Sequence, residues 1–232
     1  LSRKMIEKAK VLRPQEPIKP YSYYTEEVTF KNPEADITLS GTLSLPDTKK
    51  AYPVVILISG SGPQNRDEEL MGHKPFLVLA DQLTKNGIGV LRFDDRGTGA
   101  SKGEFKSATT EDFATDVESA IKYLQTRKEV NKKLIGLIGH SEGGVIAPMV
   151  ASKNNTVKYI VLLAGTGIPG MELLLMQKEQ LEKAAGESDE SIAKGISMNK
   201  GAFEIVASTP SDKLEAALEN YYSEAAIANP DI

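Results

Sequence analysis

Residues 139–143, Gly-His-Ser-Glu-Gly, set a serine between two glycines where the apolar run "KLIGLI" gives way to the helix-like "EGGVIAPMVASK". The pattern G-x-S-x-G is weak by itself and becomes specific only in a turn between a strand and a helix. So sharp a reversal strains the backbone of the central residue and brings neighbouring turns together. Gly139 and Gly143 remove the side chains that would collide there. The turn would lift the Ser141 hydroxyl above the carboxyl edge of a sheet, beside the free N–H groups and positive dipole end of the next helix. That is where a nucleophile for acyl transfer belongs. The competing reading is a Gly-rich turn whose serine merely caps the helix.

Such a nucleophile needs donors for the developing oxyanion and a base for its own proton. The segment "SGSGPQNRDE", residues 59–68, offers the donors. The backbone N–H of Ser61 is the candidate, paired with that of Glu142, the residue after the serine. Asn65, Arg66 and Asp67 follow and can fix the loop by hydrogen bonds. A third polar segment, "FDDRGTGASKG" (93–103), holds Asp94, Asp95 and Arg96. These read as an internal Asp–Arg clamp on a Gly-rich loop in preference to a metal site or an acid pair. Gly97 and Gly99 do not complete a dinucleotide fingerprint. The base is harder to find, because the sequence has only two histidines. His140 is the variable residue of the turn, and its adjacency to Ser141 directs its side chain elsewhere. His73, in "GHKPF", reads as a loop residue or a substrate contact.

The elements that must position these groups follow from hydrophobic periodicity. Residues 1–25 carry three prolines and read as an arm, with a short helix before Pro14. "EEVTFKN" and "ITLSGTLSLP" alternate apolar and polar residues, as in a half-exposed antiparallel hairpin. "YPVVILISGSG" is a continuous β-branched run, as in a strand buried on both faces of a parallel sheet. Thereafter helices and strands alternate. "PFLVLADQLTKNG" presents Phe76, Leu79, Ala80 and Leu83 on one helical face. "IGVLRFD" is a strand. "TTEDFATDVESAIKYLQT" is a helix that Thr110 can cap, with Phe113, Val117, Ala120, Ile121 and Leu124 at helical spacing. "KLIGLIGHS" is a strand, "EGGVIAPMVASK" a helix containing Pro148, and "VKYIVLLAGTG" a strand. The order demands a mostly parallel, doubly wound α/β sheet of six strands over 26–169. Residues 170–232 hold only helix-like runs and read as a helical lid or insertion. Its Met171–Met176 cluster would pack the lid or cover a substrate pocket.

Composition removes whole classes. The chain has 232 residues, 40% hydrophobic and 26% charged, with a formal net charge of -4. No stripe of Lys or Arg suggests a nucleic-acid partner. There is no cysteine, hence no disulfide, thiol nucleophile or thiolate metal site. The apolar runs "VVILI" and "YIVLLA" fall far short of the ~20 residues of a membrane helix. The sequence opens on Leu1, which leaves an exported protein open.

Taken in order, the loop "SGSGPQNRDE", the loop "DDRGTGAS" and the turn "GHSEGG" resemble the α/β-hydrolase superfamily, in its bacterial esterase and acyl-peptidase-like branch. The resemblance covers about residues 26–168. It implies a serine hydrolase working through an acyl-enzyme without cofactor or metal, on a small ester or acyl substrate. Ser141 matches the nucleophile, the N–H of Glu142 and the Ser61 region match the oxyanion hole, and Gly139, Gly143 and Gly144 match the elbow glycines. Ser59 stands where the family usually has a histidine before the oxyanion glycine. The family's triad order is serine, acid, histidine, and both histidines here fall at or before Ser141. The simplest expectation is a fragment whose acid, base and closing strands lie beyond Ile232, inactive by itself. The alternatives are an aminopeptidase or acyl-peptidase of the same mechanism, and a non-catalytic binding protein on a hydrolase core.

Overall fold

Runs of Val, Ile and Leu too apolar for either face to meet water build the centre of the sheet, as a computed structural model of the chain shows. It describes residues 13–228; the short helix expected before Pro14 lies outside them. The elements are β1 (Tyr24–Asn32), β2 (Ile37–Leu45), β3 (Tyr52–Ile58), α1 (Pro75–Lys85), β4 (Gly89–Phe93), α2 (Thr110–Thr126), β5 (Val130–His140), α3 (Gly143–Lys153) and β6 (Val157–Leu163). Three helices follow: α4 (Gly170–Ala185), α5 (Asp189–Ser208) and α6 (Ser211–Ala228). The strands form one six-stranded sheet in the order β1-β2-β4-β3-β5-β6. The pairs β4/β3, β3/β5 and β5/β6 are parallel, and β1 and β2 join antiparallel. This is the mixed, mostly parallel α/β sheet that the alternation of periods requires.

Helices cover both faces. Val54, Ile56 and Ile58 of β3 pack with Val117, Ile121 and Leu124 of α2 and Ile146 of α3. Val55 and Leu57 point the other way, toward Phe76 and Ala80 of α1. The period-2 alternation of one strand thus feeds two separate cores.

Two local expectations need correction. The hairpin is not half-exposed throughout: Thr42 and Ser44 of β2 are buried along with Leu39, Leu43 and Leu45. The reason is that β2 is interior, held between β1 and β4, and Thr42 donates to Glu27 at 2.7 Å. The cap of α2 is Thr109, not Thr110. Thr109 Oγ1 accepts the Asp112 N–H, and the Asp112 carboxylate accepts the Thr109 N–H at 2.9 Å, a reciprocal capping box. Thr110 is left free to donate to Glu142 at 2.8 Å.

The chain divides into two compact units, residues 1–165 and 166–232. In the second, Ser188 caps α5 and Gly186 ends α4 in the left-handed region. The Tyr221 hydroxyl donates to the Met198 carbonyl at 2.9 Å, fastening α6 to α5. Met171, Leu174 and Met176 of α4 are exposed. No helix among the described residues is long and apolar enough to cross a membrane.

Ile121 is fully buried between α2 and the sheet. Ile121→Ala is expected to lower the unfolding free energy by about 2–5 kcal/mol, read from the urea midpoint at constant slope.

Candidate active site

β5 ends at His140 and α3 begins at Gly143, leaving two residues to reverse the chain. Ser141 does so at φ +51°, in the left-handed region that a serine rarely occupies. Its N–H donates to the Leu163 carbonyl at the end of β6, 2.9 Å, and its carbonyl accepts the Gly144 N–H, 2.9 Å. The turn is possible only because backbone touches backbone. A Cβ on Gly139 would collide with the Gly143 carbonyl, and one on Gly143 with the Ile58 carbonyl. A Cβ on Gly144 would lie 2.5 Å from Gly165 Cα. Among the described residues the Ser141 hydroxyl has no hydrogen-bond partner, and Glu142 opens α3 without any side-chain cap. The serine is therefore not a helix cap.

The 59–68 loop lies against this turn. A Cβ on Gly60 would sit 3.0 Å from Ser141 Cβ and 3.3 Å from His140 Nδ1. The Gly60 N–H is already used, donating to Glu68 Oε1 at 2.8 Å. The N–H groups of Ser61 and Glu142 donate to no acceptor among the described residues. Beside them is a small cavity of ≈ 20 Å³, walled by Gly60, Gly62, Asp95, Phe105, Phe113 and Glu142. It has room for about one water-sized group.

Charged residues hold the loop from outside. The expected internal Asp–Arg clamp is replaced by a fan, because consecutive residues leaving β4 point in different directions. Asp94 accepts from the Arg66 backbone N–H at 2.8 Å, from its guanidinium at 2.8 Å and from the Ala100 N–H at 3.0 Å. Asp95 accepts the Ser59 hydroxyl at 2.8 Å and the Gln64 N–H at 2.9 Å. Arg96 turns to α2 and pairs with Asp116 at 2.8 Å. Asn65 caps its own turn by accepting from Asp67 and Glu69, and Asp67 pairs with the buried Arg92.

Adjacent carboxyls titrate in opposite senses for this reason. Burial raises the Asp94 carboxyl, but hydrogen bonds from Arg66 and the Ala100 and Arg66 N–H groups outweigh it and hold Asp94 below the ordinary range. Asp95 forms no ion pair among the described residues. Burial pushes it up to about 7 against the pull of the Gln64 and Ser59 bonds, with the charges of Asp116 and Glu142 adding to the rise.

Neither imidazole bonds Ser141. His140 Nδ1 lies 2.7 Å from Glu68 Oε1, and His73 is engaged by Arg13 at 2.6 Å. Sequence reasoning missed Glu68, which bridges the loop and the turn; its only signal is an acid closing the polar run that begins at Gly60. No group of metal-ligating side chains occurs among the described residues.

Residues 74–212 match the family described as serine aminopeptidase, S33. The chain is 31% identical over 163 residues to esterase EstD of Thermotoga maritima, covering 68% of this chain and 38% of that protein. It therefore spans well under half the length of that curated relative. Its fold is similar to the α/β hydrolase GrgF from Penicillium (TM-score 0.54, 23% identity, 71% of this chain and 56% of the other). It is also similar to an esterase of Pyrococcus furiosus (TM-score 0.57, 20% identity, 86% and 70%).

The folded Asp95 value of about 7 lies above its ordinary 3.8, so the fold favours the neutral acid. That contribution is complete below the unfolded value and is lost as pH rises through about 7. Relative to Asp95→Asn, the wild-type chain should lose on the order of 3–4 kcal/mol between pH 4 and pH 8. Urea titrations of both proteins across this range check it; a constant difference refutes it. Gly139→Ala should cost several kcal/mol or prevent folding, since backbone has to move to admit one methyl group; thermal melts beside the wild-type chain decide.

Proposed function

Because the chain belongs to the serine aminopeptidase S33 family of α/β hydrolases, we propose that it acts as a serine hydrolase on carboxylic esters through an acyl-enzyme. The observation that carries this reading is the conformation of Ser141: strained at φ +51°, its hydroxyl unbonded, beside two unused backbone N–H groups. Strain at a residue with no structural duty is a mark of function. Ser141 Oγ attacks the ester carbonyl carbon and gives up its proton to a base. The carbonyl electron pair moves onto oxygen, where the Ser61 and Glu142 N–H groups receive the charge. Collapse of that intermediate expels the alcohol, which regains a proton, and leaves the acyl group on Ser141. Water then repeats the sequence to release the acid.

The base is neither His140, whose Nδ1 faces Glu68, nor His73, which Arg13 engages, since neither ring bonds the Ser141 hydroxyl. A serine without general-base assistance is a poor nucleophile. The 232 residues alone should therefore turn over activated esters poorly, and a base supplied from further sequence is part of this reading. The ester preference follows the name of the Thermotoga maritima relative, and the amide alternative follows the family description.

With the base of this reading present in the full-length protein, a fluorophosphonate probe should label one residue, and Ser141→Ala should abolish labelling, read by intact-protein mass spectrometry. Persistent labelling of the alanine variant excludes Ser141. With a protein that turns over, p-nitrophenyl esters tested beside aminoacyl-anilides separate esterase from peptidase.

A further inference from the structure

We propose that Glu68 is a positioning residue of this site, tying the oxyanion loop to the nucleophile turn and fixing which backbone N–H faces the oxyanion. The inference rests on the reading of Ser141 as nucleophile. One carboxylate oxygen, Glu68 Oε1, receives both the Gly60 N–H at 2.8 Å and His140 Nδ1 at 2.7 Å. The first bond belongs to the loop after β3 and the second to the last residue of β5, directly before Ser141. Gly60 is therefore removed from oxyanion duty, and the next N–H, that of Ser61, is the one left without an acceptor.

Glu68 is built to hold that position. It is 6% exposed and lies at φ +50°, a strained conformation for a side-chain-bearing residue that persists only where its surroundings enforce it. They do: its N–H donates to the Asn65 carbonyl at 2.8 Å, while Arg66 and Asp67, the two central residues of that turn, are pinned to Asp94 and Arg92. The pair is not a displaced catalytic dyad, because His140 makes no bond to the Ser141 hydroxyl. Accepting from Nδ1 holds the neutral imidazole as the Nδ1–H tautomer and leaves Nε2 as a hydrogen-bond acceptor on a side chain that is 43% exposed.

The test compares wild type, Glu68→Gln, Glu68→Ala and Glu68→Asp, with Ser141→Ala as control. Two quantities are measured on the folded full-length protein, base included: the rate of fluorophosphonate labelling, and the His140 tautomer from ¹⁵N ring shifts, with His73→Gln assigning the two histidines. Gln keeps an oxygen that can accept both donors and should label within about threefold of wild type with the Nδ1–H tautomer retained. Ala should slow labelling at least about 10-fold, part of the ~10²–10³ that loss of one oxyanion donor costs, and should lose the fixed tautomer. Asp, one methylene short, cannot span both donors and should behave like Ala, which keeps the test open if the Ala variant fails to fold. Wild-type labelling rates in folded Ala or Asp variants overturn the proposal, as does a wild-type His140 lacking the Nδ1–H tautomer. Labelling that survives in Ser141→Ala instead overturns the nucleophile assignment itself.

Discussion

Backbone packed directly on backbone at the carboxyl end of β5 is the constraint from which the rest of the site follows. The chain segments around Gly139, Gly143, Gly144 and Gly165, together with the Ile58 carbonyl, approach more closely than any side chain allows. That approach brings the ends of β3, β5 and β6 together at one point. It also lets α3 start within two residues of the strand and forces Ser141 into the left-handed region. The strain is offset nearby, by the Ser141 N–H bond to Leu163 and by Ile146, Ala147 and Val150 of α3, which are buried against the sheet. A residue held this way keeps its hydroxyl in place without any side-chain bond.

The second organising feature is electrostatic. Three consecutive residues leave β4 with formal charges, and each finds a different element: Asp94 the 64–68 turn, Asp95 the start of the loop after β3, Arg96 helix α2. Buried charges are tolerated when they are paired and hydrogen-bonded. Asp94 and Arg96 satisfy that rule. Asp95 meets only its hydrogen-bonding half, and its carboxyl is pushed toward the neutral form in consequence. Two neighbours of identical chemistry thus shift in opposite directions, because bonds from Arg66 and backbone N–H groups outweigh burial at Asp94, while burial prevails at Asp95 with Asp116 and Glu142 adding to it.

The sheet and its helices were legible because their signals are local. A β-branched run such as "VVILI" or the 3.6-residue recurrence of Phe113, Val117, Ala120 and Leu124 carries its own period, whatever it packs against. The glycines around Ser141 were legible for a similar reason, since the motif and its strand–helix context lie in one stretch of sequence. What escaped was long-range. Arg66 meeting Asp94, Arg92 meeting Asp67, Arg96 meeting Asp116 and Glu68 meeting His140 join residues 20 to 72 positions apart. Any of the charges could have paired with several others. The burial of Thr42 and Ser44 was hidden likewise, because a strand's neighbours decide whether its polar face sees water. The cap of α2 was misplaced by one residue between two adjacent threonines, which only the Asp112 side chain distinguishes.

The bracing of residues 59–68 has a kinetic meaning. Hinges are segments whose dihedrals can change at little cost, and outside its tip at Ser61–Pro63 this loop is tied down residue by residue. Residues 59, 60, 64, 65, 66, 67 and 68 each carry a bond to a fixed partner. Moving its flanks would strip Arg66 and Arg92 of their counter-ions together, so they resist local opening more than the tip does. The flanks of the Ser61–Pro63 tip are thus set before any ligand arrives. For these flanks, the ordering cost that a flexible loop would meet on each encounter is met once, in folding.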